Sequence, residues 1–454
     1  MSRQQKIEMN ILVMGAGVTG KAAIQALLPE AAGVSVYDEG DASFQALLAE
    51  QFPGVPLYSK DAPPDLSRFD LLLKSPGIAP DHPLLLQAGQ EGTEVVSDAE
   101  LAYRLFPDRQ IAGITGTNGK TTTTALLCHI AKQERTVHCL GNIGVGMLPA
   151  FFSGDDTDLY VLELSSFQLT HSPTLRTSVC GLLNITPDHI NWHGSMEAYA
   201  AAKASLLLHQ NTGDTAVVNV DDPMLADYAK QARSKVVSVS QTRRDTDWYE
   251  QYGVLMRGDD AFFDFSELRI PGHHNRENAL VAAAMAHALG ISDSAIREGM
   301  RSFPGVAHRI EFLGAKDDVS FYNDSKGTNV DASIKAIEAL PYPIRLLAGG
   351  MDKKISYLPL IERLEGKVVR VYLYGETARL IENTAHDFGF HDTVLCADLE
   401  EATRRAFSDS SAGDTVLLSP ASASWDMYPN FETRGDHFRK IARELGVEHE
   451  AQKN

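Results

Sequence analysis

The sequence predicts an α/β protein of three domains, each built on a mostly parallel sheet. Short apolar runs alternate with helix-like segments along most of the chain, the pattern of strands feeding helices that cover a sheet. Two glycine-rich loops, GAGVTG at 15–20 and GTNGKTT at 116–122, each follow an apolar run and open a helix-like stretch. The alternation restarts after Pro304-Gly305, a dipeptide suited to a hinge. A chain of 454 residues is also too long for one core.

In the first block, residues 1–105, ILVMGAG, GVSVYDE, FDLLLKS and TEVV read as strands, with helices near 20–28, 41–50, 81–90 and 98–105. The second block, 106–304, opens with QIAGITGTNGKTTTT, and DLYVLELSS, VCGLLNIT and DTAVVNV read as further strands. Alternating runs near 252–270 predict an antiparallel portion, followed by the Ala-rich helix NALVAAAMAHAL. In the third block, 305–454, VSFYND, IRLLAGG, VVRVYLYG, TVLCA and TVLLSP read as strands separated by helices. No low-complexity segment or short repeat interrupts the three blocks.

Composition narrows the function classes. Hydrophobic content of 44% and charged content of 22% are those of an ordinary globular protein. A net charge of −19 argues against non-specific binding to nucleic acid or anionic membranes. Small anionic substrates stay open, because a few cations and helix N-termini suffice for them. The N-terminus lacks a secretory apolar core, and no run of about 18 apolar residues exists, so a cytoplasmic protein is expected. Cys128, Cys139, Cys180 and Cys396 are scattered without a C-x-x-C pair, which predicts reduced thiols and neither structural zinc nor a disulfide framework.

GAGVTG satisfies G-x-G-x-x-G at every position, and Asp38 ends the next strand-like run. Alone, it reads as a dinucleotide fingerprint. GTNGKTT is the more informative loop. The backbone from Gly116 through Thr117, Asn118 and Gly119 suits a phosphate cradle, Lys120 can balance β/γ charge, and the Thr121 hydroxyl can meet Mg²⁺. Ile114 stands where a strict Walker A motif has its first glycine. If this loop binds a nucleoside triphosphate, GAGVTG is free to hold NAD, a phosphate-bearing substrate, or nothing beyond a tight turn.

Single residues remain ambiguous on their own. Glu163 ends LYVLE, where its carboxylate would emerge at the ligand edge of the sheet, although a helix cap or a surface acid fits equally. His189 and His193 are four apart, but Ile190 replaces the Glu of H-E-x-x-H, and Pro187 and Gly194 oppose a continuous helix. Lys203 in AYAAAKASLLL has snorkelling to solvent as its commonest fate.

The order of longer motifs removes much of this ambiguity. GTNGKTTT, LELSSFQL at 162–169, NITPDHINWHGSMEAYAAAK at 184–203, GHHNRENALVAAA at 272–284, NDSKGTN at 323–329 and LLSPASASWDMYPNFETRG at 417–435 occur in that sequence. Together they resemble the Mur ligases of peptidoglycan synthesis, and SPGI at 75–78, LELSSFQL and NDSKGTN are similar to the branch that adds D-glutamate. The resemblance implies ATP-dependent amide formation between UDP-N-acetylmuramoyl-L-alanine and D-glutamate through an acyl phosphate and a tetrahedral intermediate. Ligases for L-glutamate, L-alanine or folate, and an NAD-binding oxidoreductase, stay as alternatives. A Rossmann-like UDP-binding domain, a P-loop ATPase-like domain and a Rossmann-like amino-acid-binding domain are implied, in a monomer.

The same resemblance implies the site residues. ATP would meet Gly116 to Thr122 (Thr122 included), Asn275, Asn278, Arg309 and Asp324, with the domains closing around it at hinges near 105 and 305. Catalytic and Mg²⁺-site roles fall to Lys120, Thr121, Glu163, His189 and Lys203 for two metal ions, with Lys203 carbamylated; His193 is structural. The UDP-sugar would meet Gly15, Gly17, Val18, Thr19, Gly20, Asp38, Ser75, Gly77, Asn142 and His189, with Glu39 turned outward. Glutamate would meet Lys326, Thr328, Lys353 (or its neighbour Lys354), Ser424 and Phe431.

Overall fold

The computed structural model describes residues 7–141 and 146–448. Three sheets carry the chain. The first contains β1 (Ile7–Met14), β2 (Ala31–Tyr37), β3 (Leu57–Tyr58), β4 (Leu71–Lys74) and β5 (Glu94–Val96), in the order β3-β2-β1-β4-β5 and parallel throughout. Its helices, Val18–Leu27, Ala42–Gln51, Pro83–Glu91 and Asp98–Leu105, match the four read from the sequence. The two-residue β3 gave no periodic signal.

The second sheet contains β6 (Gln110–Thr115), β7 (Val137–Gly141), β8 (Leu159–Glu163), β9 (Val179–Leu182), β10 (Thr215–Asn219), β11 (Lys235–Ser240), β12 (Trp248–Gln251), β13 (Val254–Arg257) and β14 (Asp260–Asp264). Their order is β14-β13-β12-β11-β10-β9-β6-β8-β7. Only β12 to β14 run antiparallel, in the portion where alternating runs predicted it. The third sheet takes β15 (Glu311–Lys316), β16 (Val319–Asn323), β17 (Ile344–Gly349), β18 (Val368–Tyr374), β19 (Thr393–Leu395) and β20 (Thr415–Leu418), in the order β15-β16-β20-β17-β18-β19.

The central strands are continuous apolar runs because both faces are covered: Ile11 to Met14, Leu159 to Leu162 and Leu346 to Ala348 are all buried. The chain divides into two compact units. One holds the first two sheets and takes in Glu277–Arg301; the other holds the third sheet and Leu268–Arg276. Within the first unit, Glu100 binds its helix to the second sheet's periphery. Its side chain is fully buried and accepts from the backbone amides of Thr174 (3.1 Å) and Leu175 (2.8 Å) and from Arg104 Nε (2.7 Å).

One expectation is corrected. Cys128 and Cys139 form a disulfide rather than standing as separate reduced thiols. The Lys120–Ala131 helix and β7 pack together, which brings the two Cα atoms 6.2 Å apart. Cys180 and Cys396 are free. Among the described residues no helix is long and apolar enough to cross a membrane.

Replacing Glu100 with Ala strands the buried Leu175 amide and removes the acceptor of Thr174 N and Arg104, and should lower unfolding free energy by about 2 kcal/mol, read by urea denaturation. An unchanged midpoint would show that Glu100 is dispensable.

Candidate active site

In open α/β sheets the ligand crevice lies where the strand order reverses, at the carboxyl ends of the strands. Each sheet has such a point, and each carries residues singled out in the sequence. In the first sheet it falls between β1 and β4. Gly15 follows β1 at φ +88°, a left-handed conformation that favours glycine, and Ser75 follows β4 and donates from Oγ to the Gly15 carbonyl at 2.8 Å. A side chain on Gly20 would collide with that same carbonyl, whereas a Cβ on Gly17 meets nothing within 4 Å. Gly20 therefore serves packing, while Gly17 and the exposed Val18 form the open tip of the loop beside Thr19. Asp38 is pinned across the loop, accepting from Ala16 N (2.6 Å) and Gly40 N (2.7 Å). Glu39 pairs with Tyr37 Oη (2.7 Å) and His82 (3.1 Å). Asn142 lies outside the described residues.

In the second sheet the order reverses at β6, flanked by β9 and β8. The phosphate loop leaves β6 and caps the Lys120–Ala131 helix through Gly119, at φ +85°. Asn184 shapes the loop: its carbonyl accepts from Thr117 N and its Oδ1 from Asn118 N, both at 2.8 Å. Lys120 Nζ donates to the carbonyls of Gly116 (2.9 Å) and Thr117 (2.8 Å). Asn278, on the His273–Ala288 helix, is 4% exposed and accepts from Thr123 Oγ1 at 3.3 Å; its amide oxygen closes over Gly119. Thr121 and Thr122 are buried in the first turn.

Glu163 ends β8 and is buried. Thr121 Oγ1 donates to its Oε1 at 3.2 Å, while its Oε2 is buried with no hydrogen-bond partner. A cation would satisfy that oxygen, and no group of three or more His, Cys, Asp or Glu side chains gathers to hold a metal among the described residues. A hydroxyl, one carboxylate, phosphate oxygens and water fit Mg²⁺, which keeps much of its hydration.

Lys203 does not snorkel to solvent. It is 2% exposed, on the Met196–Leu208 helix, and donates from Nζ to the Gly116 carbonyl at 2.7 Å. Burial, reinforced by the Lys120 charge, lowers its pKa to about 6. Tyr199, one turn earlier, lies 4.6 Å from the ammonium by ring centroid, and its hydroxyl meets Thr117 Oγ1 at 3.0 Å. Lys203, Tyr199, Lys120, His189 and Ser165 to Phe167 line a cavity of about 300 Å³ that Pro76 and Gly77 of the first sheet's SPGI segment also line. His189 takes a left-handed conformation (φ 51°) just before the short Ile190–His193 helix, 4.8 Å from the Phe167 ring. His193 instead hydrogen-bonds with Ser166 Oγ at 2.9 Å, a structural contact.

The other unit gathers a separate set at the reversal between β17 and β20. Ser424 and Lys353 follow these strands, and Lys326 and Thr328 follow β16. Lys353 Nζ donates to the Thr328 carbonyl at 3.1 Å, and Lys326 Nζ lies 5.6 Å from the Phe431 ring centroid. Lys354 points elsewhere: it is 88% exposed and pairs with Asp352. Asp324 is buried and accepts from Ile310 N (3.2 Å) and Ser419 Oγ (2.7 Å), holding the segment that presents the exposed Arg309. Burial raises its pKa to about 7. Asn275 belongs to this unit, and its Nδ2 donates to Pro271 O at 2.6 Å.

Sequence reasoning passed over Tyr199, Asn184 and Arg434, although all three stand inside quoted motifs. Only Tyr199 carried a usable signal, its i, i+4 spacing to Lys203.

A phosphate loop whose Lys120 shares a cavity with a buried lysine of lowered pKa, together with a buried acid that keeps an unsatisfied oxygen beside Thr121, points to an α/β nucleotide-dependent enzyme. Family models match most of the chain: the Mur ligase MurD-like N-terminal domain at 9–97, the Mur ligase middle domain at 114–286, and the Mur ligase glutamate ligase domain at 308–422. The chain belongs to the Mur ligase family. The UDP-N-acetylmuramoylalanine--D-glutamate ligase of Alkaliphilus metalliredigens is 41% identical over 96% of this chain and 98% of its own length; that of Alkaliphilus oremlandii is 40% identical over 96% and 99%. Among solved structures, the UDP-N-acetylmuramate-alanine ligase of Thermotoga maritima shares the fold with a TM-score of 0.61 at 17% identity, covering 96% of this chain and 100% of that one. The MurF ligase of Thermotoga maritima in complex with ADP gives 0.59 at 18% identity, covering 98% of each.

Lys203 destabilises the fold, because the unfolded chain binds a proton there that the folded chain resists. This cost grows as pH falls from 10.5 toward about 6. In CO₂-free buffer, Lys203→Met should therefore raise the thermal midpoint by several degrees, more at about pH 6.5 than at about pH 9. A gain independent of pH would contradict a neutral buried amine.

Proposed function

We propose that the chain is an ATP-dependent ligase that joins D-glutamate to UDP-N-acetylmuramoyl-L-alanine in cytoplasmic peptidoglycan synthesis, acting as a monomer. The observation that carries this reading is the single cavity shared by Lys120, His189, Lys203 and the SPGI segment of the first sheet. On this reading the three sheets correspond to domains at 1–105, 106–304 and 305–454, for the UDP-sugar, ATP and the amino acid.

The chemistry assigns each group a task. The loop amides from Gly116 to Gly119 and the Lys120 ammonium hold the β/γ-phosphates, so that the substrate carboxylate can displace ADP from the γ-phosphorus. Mg²⁺, when bound, neutralises charge on the transferring phosphoryl group. Thr121 Oγ1 and Glu163 would hold one ion, and His189 with Lys203 the other. Lys203 suits that task only after its neutral amine adds CO₂ and releases a proton, which turns a nitrogen base into a carbamate with oxygen ligands. The D-glutamate amine then attacks the acyl phosphate, and the tetrahedral intermediate expels phosphate as the amide forms.

GAGVTG holds the uridine diphosphate, with Gly17 to Thr19 at the open tip and Gly77 near the sugar. Lys326, Thr328, Lys353, Ser424 and Phe431 receive the amino acid, since cations and a hydroxyl are the natural partners of its two carboxylates.

The test is ADP release with D-glutamate, L-glutamate and L-alanine side by side, with product masses. Turnover is expected with D-glutamate alone and only when UDP-N-acetylmuramoyl-L-alanine is present. Binding of NAD(H) without such turnover would overturn the reading.

A further inference from the structure

Arg434 is the largest fully buried side chain of the described residues, on the Phe431–Glu444 helix, and its surroundings are unusual for a guanidinium. Its Nε donates to Ser325 Oγ at 3.0 Å and its Nη2 to the Ser325 carbonyl at 2.9 Å. Its Nη1 donates to the carbonyls of Ser422 (3.1 Å) and Ala423 (3.3 Å). Every one of these acceptors is neutral, and among the described residues no carboxylate pairs with the guanidinium.

Asp324 feels the guanidinium charge, but it and Asp426 accept their hydrogen bonds from other groups. Asp324 accepts from Ile310 N and Ser419 Oγ, and Asp426 accepts from Glu376 N at 3.1 Å. A buried charge without a directly paired carboxylate is costly, and arginine cannot shed its proton to escape that cost. Hydrogen bonds to carbonyl oxygens offset only part of it.

The four contacts also place the charge. Ser325 leads directly into Lys326 and Thr328, and Ser422-Ala423 leads into Ser424. Ser325 Oγ in turn donates to the Phe431 carbonyl at 2.8 Å. The guanidinium thus ties together the segments that carry four of the five amino-acid contacts. The fifth, Lys353, feels the Arg434 charge, which together with burial lowers its pKa. Packing there is close: a Cβ on Gly350 would lie 3.2 Å from Arg434 Nη1.

We propose that Arg434 is a positioning and specificity-determining residue for the amino-acid substrate, whose buried charge, hydrogen-bonded only to neutral acceptors, makes this site favour an amino acid with two carboxylates. The proposal rests on the amino-acid site described under the proposed function. The charge acts through the field in a medium of low dielectric, and the fork fixes the two segments that bear the direct contacts. Arriving carboxylates add negative charge where no carboxylate of the described residues pairs with the guanidinium.

The experiment compares the full-length chain with Arg434→Gln, Arg434→Lys and Ser325→Ala, using D-glutamate and its neutral isostere D-glutamine. For Arg434→Gln, KM for D-glutamate should rise about tenfold or more, with KM for ATP and for UDP-N-acetylmuramoyl-L-alanine within about threefold of the parent. The ratio of kcat/KM for D-glutamate over D-glutamine should fall by a similar factor. Arg434→Lys should recover part of both effects, because it keeps the charge and loses the fork. Ser325→Ala keeps the charge, so it should raise KM for D-glutamate while preserving selectivity over D-glutamine. This comparison stands even if Arg434→Gln does not fold. Equal rises in all three KM values, or lost selectivity in Ser325→Ala, would overturn the proposal. Absence of D-glutamate turnover in the parent would instead overturn the proposed function.

Discussion

The contact on which the rest of the site depends is that of Lys203 Nζ with the Gly116 carbonyl, 2.7 Å away at the root of the phosphate loop. It joins a helix of the second sheet's cover to the loop that leaves the central strand. It also brings an ammonium group close to Lys120 in a buried place. Two cations cannot both stay charged there cheaply, and burial resolves the conflict by driving Lys203 toward the neutral amine. Tyr199 closes one side and Glu163 keeps an unsatisfied oxygen across the loop. The two lysines are therefore short of negative charge, which phosphate and carbamate oxygens would supply, while the Glu163 oxygen calls for a cation such as Mg²⁺.

Lys203 and Arg434 show two outcomes of the same problem. Both are buried and both donate to backbone carbonyls instead of to acids. Lysine can lose its proton, so it suits a position where the nitrogen must become a nucleophile toward CO₂. Arginine holds its proton, so it suits a position where positive charge must persist until substrate arrives. The choice of base at each place matches the chemistry proposed for it.

Much of this architecture was legible in the chain. Fully buried parallel strands leave continuous apolar runs, and both glycine loops marked the reversal points of their sheets. Glu163 could be located at a strand end. Its significance could not be read, because an unsatisfied oxygen is a property of packing. The burial of Lys203 could not be read for the same reason: its helix is apolar nearly all round, so the sequence does not say which face is covered, and only the resemblance set it apart from a snorkelling lysine. Cys128 and Cys139 bear no motif, and only the packing of a helix against the next strand brings them together. Arg434 sits between polar residues on a helix that otherwise reads as exposed, and its acceptors are backbone carbonyls, which leave no trace in side-chain pattern.

In the proposed mechanism the buried Lys203 nitrogen adds CO₂, and the carbamate so formed offers oxygen ligands. Carbon-13 NMR of the purified protein equilibrated with ¹³C-bicarbonate tests it directly. The account predicts one slowly exchanging carbamate resonance that disappears in Lys203→Ala and on acidification. A spectrum of the parent without that resonance, or one that survives in Lys203→Ala, would contradict it.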